Sequence, residues 1–588
     1  MVLAALAVGA TPDAGRRRGL QQRLYTALRE AVLAGRLAPG ARLPATRALA
    51  DEAGIARQTV VLVYQRLVDE GYAVARVGAG TFVSSALPLE PARAAAPGAA
   101  GAAARVPAPV PPGPAAESPL PLGEGQGPKS GGPRQRAIQN PKSAWAGRAL
   151  AVSRDPHATW SPEGPAFDFR PGVPDWETFP HTLWRRLLAR RWTAAGRLPA
   201  LAALGHYGDP AGYRPLREAL AAYLARSRGV RCAPDQVVIV SGSQQALDLL
   251  ARVCLDPGDT AAMEEPGYPA ARSILRAAGA HVRPVPVDPA GLVVGALERP
   301  SSGGRDDGAD EGRRAKGESP GRAPAFVLRP SSFASPKLVY VTPSHQYPTG
   351  ATLSLPRRLA LLEWAARAGA LIVEDDYDSE LRYAGPPLPA LQGLDTRGCV
   401  AYVGSCSTVL FPPLRLGWIV APPALVEALI AAKWLADRQT ATLEQQVLAD
   451  FIAGGHFARH LRRSRARYGA RRAALLAAVE RSLPPDCVLA GEPAGLQTPL
   501  YLPPGVAEEA VAAAAAARGV GVYPIGPCYH TGAETRATDA AGATDSTGAG
   551  ASPPPRPGLL LGFAAMREAA IDEGIRRLAA ALHAVSSS

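Results

Sequence analysis

Three short runs carry the chemistry that this sequence offers. Val237–Val240 reads as a buried strand, and Ser241-Gly242-Ser243-Gln244-Gln245 turns from it directly into a helical pattern. A small-residue turn at a helix N-terminus presents free backbone N–H groups and the positive end of the helix dipole, which suits a phosphate. Leu371-Ile372-Val373 is a second short apolar strand, and it runs into Glu374-Asp375-Asp376-Tyr377-Asp378. Carboxylates at the carboxyl end of a strand sit where open α/β sheets bind ligands, although the same run also reads as a solvated acidic loop. The third run is Arg57-Gln58-Thr59, polar and cationic side chains at the first turn of an amphipathic helix. Such a turn can contact phosphates and read base edges in a DNA groove.

The elements around the third run define a small head. Leu24, Leu28 and Val32 recur at helical spacing, and Gly35 with Pro39-Gly40 ends that helix. A short helix follows over Thr46–Ala53, then the Gly54-Ile55 turn. Val60, Val63, Tyr64, Leu67 and Val68 then share one face of a further helix. Gly71 stops it, and Tyr72–Val77, Gly78-Ala79-Gly80 and Thr81–Ser84 read as a small hairpin. Helix, helix, turn, helix and β-wing is a winged helix-turn-helix. From Arg16 to Ser84 there are eleven arginines against five acids, the excess that phosphate contact needs. A protein-docking three-helix unit with a solvated basic face would show the same charge.

The rest of the chain sets the frame. At 588 residues it exceeds one core, and Gly 60 with Pro 59 signals much linker or loop. The spacing predicts a head over 16–84, an Ala/Pro/Gly-rich tether over 85–165, and a body over 166–588. The body is interrupted by low-complexity insertions near 298–336 and 531–556. The formal charge of +13 permits an anionic partner. Six cysteines without a CxxC pair suggest neither a disulfide framework nor a metal site, and a reducing cytoplasm. The opening MVLAALAVGA lacks a basic flank and reads as a disordered or misassigned start rather than a signal peptide. No other run reaches the ~18 apolar residues of a membrane span.

Taken together the runs resemble a known family. LPATRALADEAGIARQTVVLVYQRLVDEGY…GAGTFVS is similar to the GntR-type winged helix. YGDPAGYRPLREALAAYL, SGSQQALDLLARVCLDPGD, EEPGYPAAR, YVTPSHQYPTGATLS, VEDDYDSELRYAG, YVGSCSTVLFPPLRLGW and LLLGFAA follow in family order. They resemble the fold-type I aminotransferase domain of MocR-type (PdxR- and GabR-like) GntR regulators. The implied fold is therefore a winged helix plus an α/β transferase-like domain with a mainly parallel sheet and a smaller C-terminal domain.

The resemblance implies that Arg47, Arg57, Gln58, Thr59 and the wing residue Gly78 approach double-stranded DNA. It also implies a pyridoxal 5′-phosphate (PLP) pocket. Ser243, Gln244, Ser405, Ser407 and Arg415 would hold the phosphate, and Tyr268 would stack on the ring. Asp375 would pair with the ring nitrogen and Tyr377 with the ring hydroxyl. Tyr207 would reach into a neighbouring subunit, which implies a homodimer. The sequence departs from the family at Ala45 and Ala56, where serine often caps the helices, and at Leu560, where an arginine binds the substrate carboxylate. Arg556, just upstream, is the candidate replacement. The largest departure is Ser407-Thr408-Val409, where the family has its cofactor-binding lysine. Arg415 keeps the family spacing from this position, so Thr408 occupies it, and among the five lysines of the chain Lys433 is the one that could approach in space. Threonine offers no amine for covalent attachment or proton transfer.

The sequence reads foremost as a regulator whose body senses PLP, held non-covalently, or an amine or amino-acid ligand, without turnover. A working aminotransferase with a DNA-binding head and a ligand-independent dimeric scaffold are the alternatives.

Overall fold

The computed structural model describes residues 20–33, 36–76, 80–84, 164–195, 206–298, 335–384, 388–530 and 556–587. Gly78, nearly all of the tether and both insertions fall outside these residues. In the head, α1 (Leu20–Leu33), α2 (Thr46–Ala53) and α3 (Arg57–Asp69) lead into the antiparallel hairpin β1 (Ala73–Arg76) and β2 (Gly80–Val83). The helical stripe is a core: Leu28, Val60, Val63 and Leu67 are completely buried. Gly54 ends α2 in the left-handed conformation, φ 63°, that glycine adopts without a Cβ penalty.

The body begins with β3 (Phe167–Asp168), α4 (His181–Ala195) and α5 (Arg214–Ser227). Strands and helices then alternate: β4 (Val237–Val240), α6 (Ser243–Cys254), β5 (Thr260–Glu265), α7 (Pro269–Ala277), β6 (His281–Asp288), β7 (Gly291–Leu292), β8 (Leu338–Val341), α8 (Leu355–Ala368), β9 (Leu371–Asp376), β10 (Val400–Ser405) and β11 (Gly417–Val420). Their eight strands form one sheet in the order β4-β11-β10-β9-β8-β5-β6-β7. The neighbours from β10 to β6 run parallel, while β11 and β7 are antiparallel to theirs. Helices cover both faces, so β4 and β8 are buried at every position and read as unbroken apolar runs.

Helices α9 (Pro423–Asp437), α10 (Thr442–Ala453) and α11 (His456–Ser482) lead to the smaller C-terminal unit. That unit holds β12 (Val488–Leu489), β13 (Gln497–Tyr501), α12 (Glu508–Ala516), β14 (Val520–Gly521), β15 (Tyr523–Pro524), β16 (Gly558–Gly562) and α13 (Glu568–Ser586). Its antiparallel sheet has the order β12-β13-β16-β15, and β14 pairs with β3 from the start of the body.

The head is seated on the body. Its core and the apolar layer between α8 and the large sheet form one continuous cluster, with Leu24, Leu28 and Leu67 joined to Leu355, Leu391 and Leu394. Buried Arg29 of α1 donates to the Gly393 carbonyl at 2.9 Å. No helix among the described residues is long and apolar enough to cross a membrane.

Candidate ligand pocket and DNA-binding surface

The pocket is assembled at the carboxyl ends of β4, β9 and β10. Strand β4 ends in Ser241-Gly242, and α6 begins at Ser243 with no side chain capping its first turn, so that turn presents N–H groups to a ligand. Arg415, itself left-handed at φ 49°, donates from its guanidinium to the Ser241 carbonyl. Backbone conformation favours glycine at 242, and the Arg415 guanidinium would have to shift for any larger residue. Its φ is 90°, and a Cβ would lie 2.6 Å from the Arg415 guanidinium. Strand register brings the remaining polar groups alongside: Gly417 of β11 faces Val240 on one side and Ser405 on the other. Ser405 Oγ accepts from the Ser407 amide at 3.4 Å. Gln244 is exposed at the first turn of α6.

The acidic run is a buried strand end rather than a solvated loop. Glu374, Asp375 and Asp376 are all nearly inaccessible. Alternation along β9 divides them. Glu374 accepts from the Leu391 and Gln392 amides at 2.7 and 2.8 Å. Asp376 takes the Arg228 guanidinium at 2.7 Å and the Tyr402 hydroxyl at 2.7 Å. Asp375 accepts the Tyr340 hydroxyl at 2.8 Å through Oδ2, while its buried Oδ1 has no partner. Burial raises the Asp375 carboxyl to about 7, and the Tyr340 hydrogen bond offsets only part of this.

Three tyrosines stand together beside it. Tyr347 meets the Tyr268 ring edge-on at 5.3 Å and the Tyr377 ring at 6.2 Å. The Tyr377 hydroxyl contacts His345 Nδ1 at 3.2 Å, and His345 pairs with Asp378 at 2.8 Å. Thr408 closes this side: it is buried, and its hydroxyl donates to the Tyr377 carbonyl. The sequence assigned no role to Tyr340, His345 or Tyr347, although all three lie in the quoted YVTPSHQYPTG run. Neither did it single out Glu264, which burial raises to about 7 beside the Thr342 hydroxyl at 2.6 Å.

Lys433 is joined to the Ser241–Gln245 turn through Gln245. It is inaccessible, and Nζ binds both Asp437 oxygens at 2.8 and 2.9 Å and Gln245 at 3.4 Å. Gln245 in turn holds the Ser241 amide at 2.7 Å. Leu560 is buried with Ile525 and Cys528 against Tyr347, Tyr501 and Tyr529, and the Arg556 guanidinium lies 4.9 Å above the Tyr501 ring. Tyr207 stands apart from the cluster, 74% exposed, with Arg438 over its ring at 4.4 Å.

On the head, Arg47, Arg57 and Gln58 are exposed and Thr59 is half-buried at the start of α3. Arg57 Nε reaches Thr46 Oγ1 at 3.4 Å, which ties the two helices of the reading unit together. Ala45 and Ala56 supply no side-chain cap. The contacts with the body lie elsewhere on the head, at Arg29 of α1 and at Gly71 just past α3, where an added Cβ would lie 3.5 Å from Leu355.

The winged helix and the sheet-end pocket together define a DNA-binding protein built on an aminotransferase scaffold. Residues 20–83 match the family model "Bacterial regulatory proteins, gntR family", and residues 181–547 match "Aminotransferase class I and II". The probable rhizopine catabolism regulatory protein MocR of Rhizobium meliloti is 33% identical over 570 residues, covering 97% of this chain and 95% of its own length. The HTH-type transcriptional regulator TauR of Rhodobacter capsulatus is 34% identical, covering 79% of this chain and 81% of its own. Among solved structures, the α-aminoadipate aminotransferase LysN of Thermus thermophilus, complexed with N-(5′-phosphopyridoxyl)-L-leucine, superposes with a TM-score of 0.60 at 29% identity. It covers 76% of this chain and 99% of its own. The chain belongs to the MocR-type GntR transcription regulators, a winged helix joined to an aminotransferase-like domain.

Proposed function

We propose that the body binds PLP non-covalently, or an amine or amino-acid ligand together with it, as an effector that is not turned over. The occupied pocket then sets the DNA affinity of the head. One observation carries this reading. Asp375 accepts from one neutral hydroxyl and keeps a buried carboxylate oxygen without a partner, as Glu264 and Asp376 also do, while position 408 holds a threonine tied to the Tyr377 carbonyl. An unpartnered buried acceptor is costly and calls for an explanation, which a bound ligand would supply for Asp375.

The residues fit the cofactor. Arg415, the Ser243 and Gln244 amides, Ser405 and Ser407 would hold the phosphate. Tyr268 would face the ring, Asp375 would pair with its protonated nitrogen, and Tyr377 would bond its hydroxyl. When bound, PLP supplies an aldehyde reactive toward amines and an electron-withdrawing ring. The chain's own residues bind and orient that group. Thr408 has no basic nitrogen to move a proton at the ligand, so retention without turnover follows. Exposed Tyr207 supports a homodimer in which it reaches the partner's pocket. Arg47, Arg57, Gln58, Thr59 and Gly78 would contact DNA, which places the chain at the chromosome in the cytoplasm.

The test is an absorbance titration with PLP, followed by borohydride and dialysis, run beside DNA binding with and without PLP. Saturable binding lost on dialysis, with an altered DNA affinity, is expected. Borohydride fixation on any lysine, or an absence of PLP binding, overturns the reading.

A further inference from the structure

A single turn links the strand that carries Asp375 to the winged helix. Residues 388–394 lie within the connection between β9, which ends at Asp376, and β10, which starts at Val400. On the body side this turn hangs from the acidic strand: Glu374 accepts from the Leu391 and Gln392 amides. Arg228, paired with Asp376, donates to the Leu388 carbonyl. The turn has little freedom elsewhere, since a Cβ on Gly393 would lie 2.2 Å from the Gly229 carbonyl oxygen.

On the head side two polar contacts lead to this turn, one directly and one through Arg231. Arg29 of α1 is 4% exposed, and it divides its guanidinium between the Gly393 carbonyl at 2.9 Å and the Tyr72 hydroxyl at 2.9 Å. Glu30 pairs with Arg231 at 3.3 Å. Gln392 grips the backbone of Arg231 from both sides, accepting from its amide and donating to its carbonyl at 2.8 Å each. A buried guanidinium cannot shed its acceptors without cost, so Arg29 fixes the head to whatever position the turn adopts.

We propose that this turn is the docking surface for the chain's own winged helix, with Arg29 as its latch. Occupancy at Asp375 reaches the head through it. The geometry gives the reason. Glu374 and Asp376 face the turn, and Asp375 between them faces the pocket on the opposite side of the same strand. A ligand that completes Asp375 repositions the strand end, and the two flanking acids carry that shift into the turn. The two-state element that coupling requires is the head itself, seated or released, tethered in both states. The docking holds independently of the proposed ligand. The transmission rests on the reading that PLP binds.

Hydrogen–deuterium exchange on the full chain tests both parts. Arg29→Met keeps the length of the side chain and removes the donors. Glu374→Gln leaves the head untouched and weakens the turn from the body side. Each variant should speed exchange by roughly tenfold in both residues 20–33 and residues 388–394, with folding checked by circular dichroism. Glu374→Gln alone decides the matter if Arg29→Met does not fold. Loosening that stays on the mutated side of the interface overturns the latch. Adding PLP should alter exchange in residues 20–33 of the wild type and leave that segment unchanged in Arg29→Met. An equal response in both chains, or none in the wild type when absorbance shows PLP bound, overturns the transmission. If absorbance shows no PLP bound, the proposed function and the transmission fall together, while the two variants still decide the latch.

Discussion

Asp375→Asn separates what this carboxylate does for a ligand from what it costs the fold. The side chain is buried, Oδ2 accepts from Tyr340 at 2.8 Å, and Oδ1 has no partner. Burial raises it from 3.8 to about 7. Between those values the folded chain binds a proton that the unfolded chain has released, so this group's contribution to stability falls as pH rises from about 4 to about 7. At about 1.4 kcal/mol per pH unit, the ionised form above pH 7 costs about 4 kcal/mol. Asparagine removes the charge and keeps an oxygen for Tyr340, but it buries an amide NH2 at a cost of roughly 1–3 kcal/mol. The net expectation is about 1–3 kcal/mol of added stability at pH 8 without PLP. That corresponds to a Tm higher by about 2–4 °C, with the gain shrinking toward pH 5. The same change removes the anion that would pair with a protonated ring nitrogen, so PLP should bind about ten- to a hundredfold more weakly. Thermal unfolding at pH 8 and pH 5, with an absorbance titration, measures both effects. A lower Tm at pH 8, or an unchanged PLP affinity, refutes the reasoning.

Three further outcomes are expected. Thr408→Lys should forfeit the hydroxyl bond to the Tyr377 carbonyl, lose about 1 kcal/mol of stability without PLP, and gain a borohydride-reducible covalent bond to PLP at residue 408. Mass spectrometry that places the label elsewhere would show the loop to be misassigned. Arg47→Ala with Arg57→Ala should weaken binding to the chain's own promoter region by about 1–3 kcal/mol for a base contact and flatten its salt dependence for phosphate contacts, and unchanged affinity across salt would dismiss this face. Sedimentation should show a dimer at micromolar concentration that Tyr207→Ala leaves intact while weakening PLP, whereas a monomer would defeat the assignment of Tyr207.

Much of the fold was legible because the deciding patterns are local. The α3 stripe from Val60 to Val68 has a single periodic reading; Val60, Val63, Tyr64 and Leu67 are buried and Val68 is half-buried against them. The Val237–Val240 run announced a strand covered on both faces, and the small residues after it announced the turn into α6. The seating of the head was not legible. The Ala/Pro/Gly-rich tether over 85–165 carried no sign of where the head would sit. The structure merges the head core with the α8 layer. Arg29 and Gly393 lie 364 residues apart in sequence, and nothing in either neighbourhood marks a buried arginine or a carbonyl waiting for it.

The acidic strand shows why a motif alone cannot assign a site. Glu374, Asp375 and Asp376 are equally buried and adjacent in sequence, and both a solvated loop and a ligand site were open readings. Their partners separate them. Asp376 has the Arg228 cation, although its Oδ1 is also without a partner, and Glu374, which burial likewise raises to about 7, has two backbone amides with the Arg358 guanidinium nearby. Asp375 receives one neutral hydroxyl, and the charges acting on it are the carboxylates of Asp376 and Asp378. A protein that needed this residue only for its fold would be better served by a neutral one, since an unpaired buried charge is among the most destabilising features a core can hold. Glu374 and Asp376 find backbone amides and a cation within the chain, and the proposed ligand would supply the cation that Asp375 lacks.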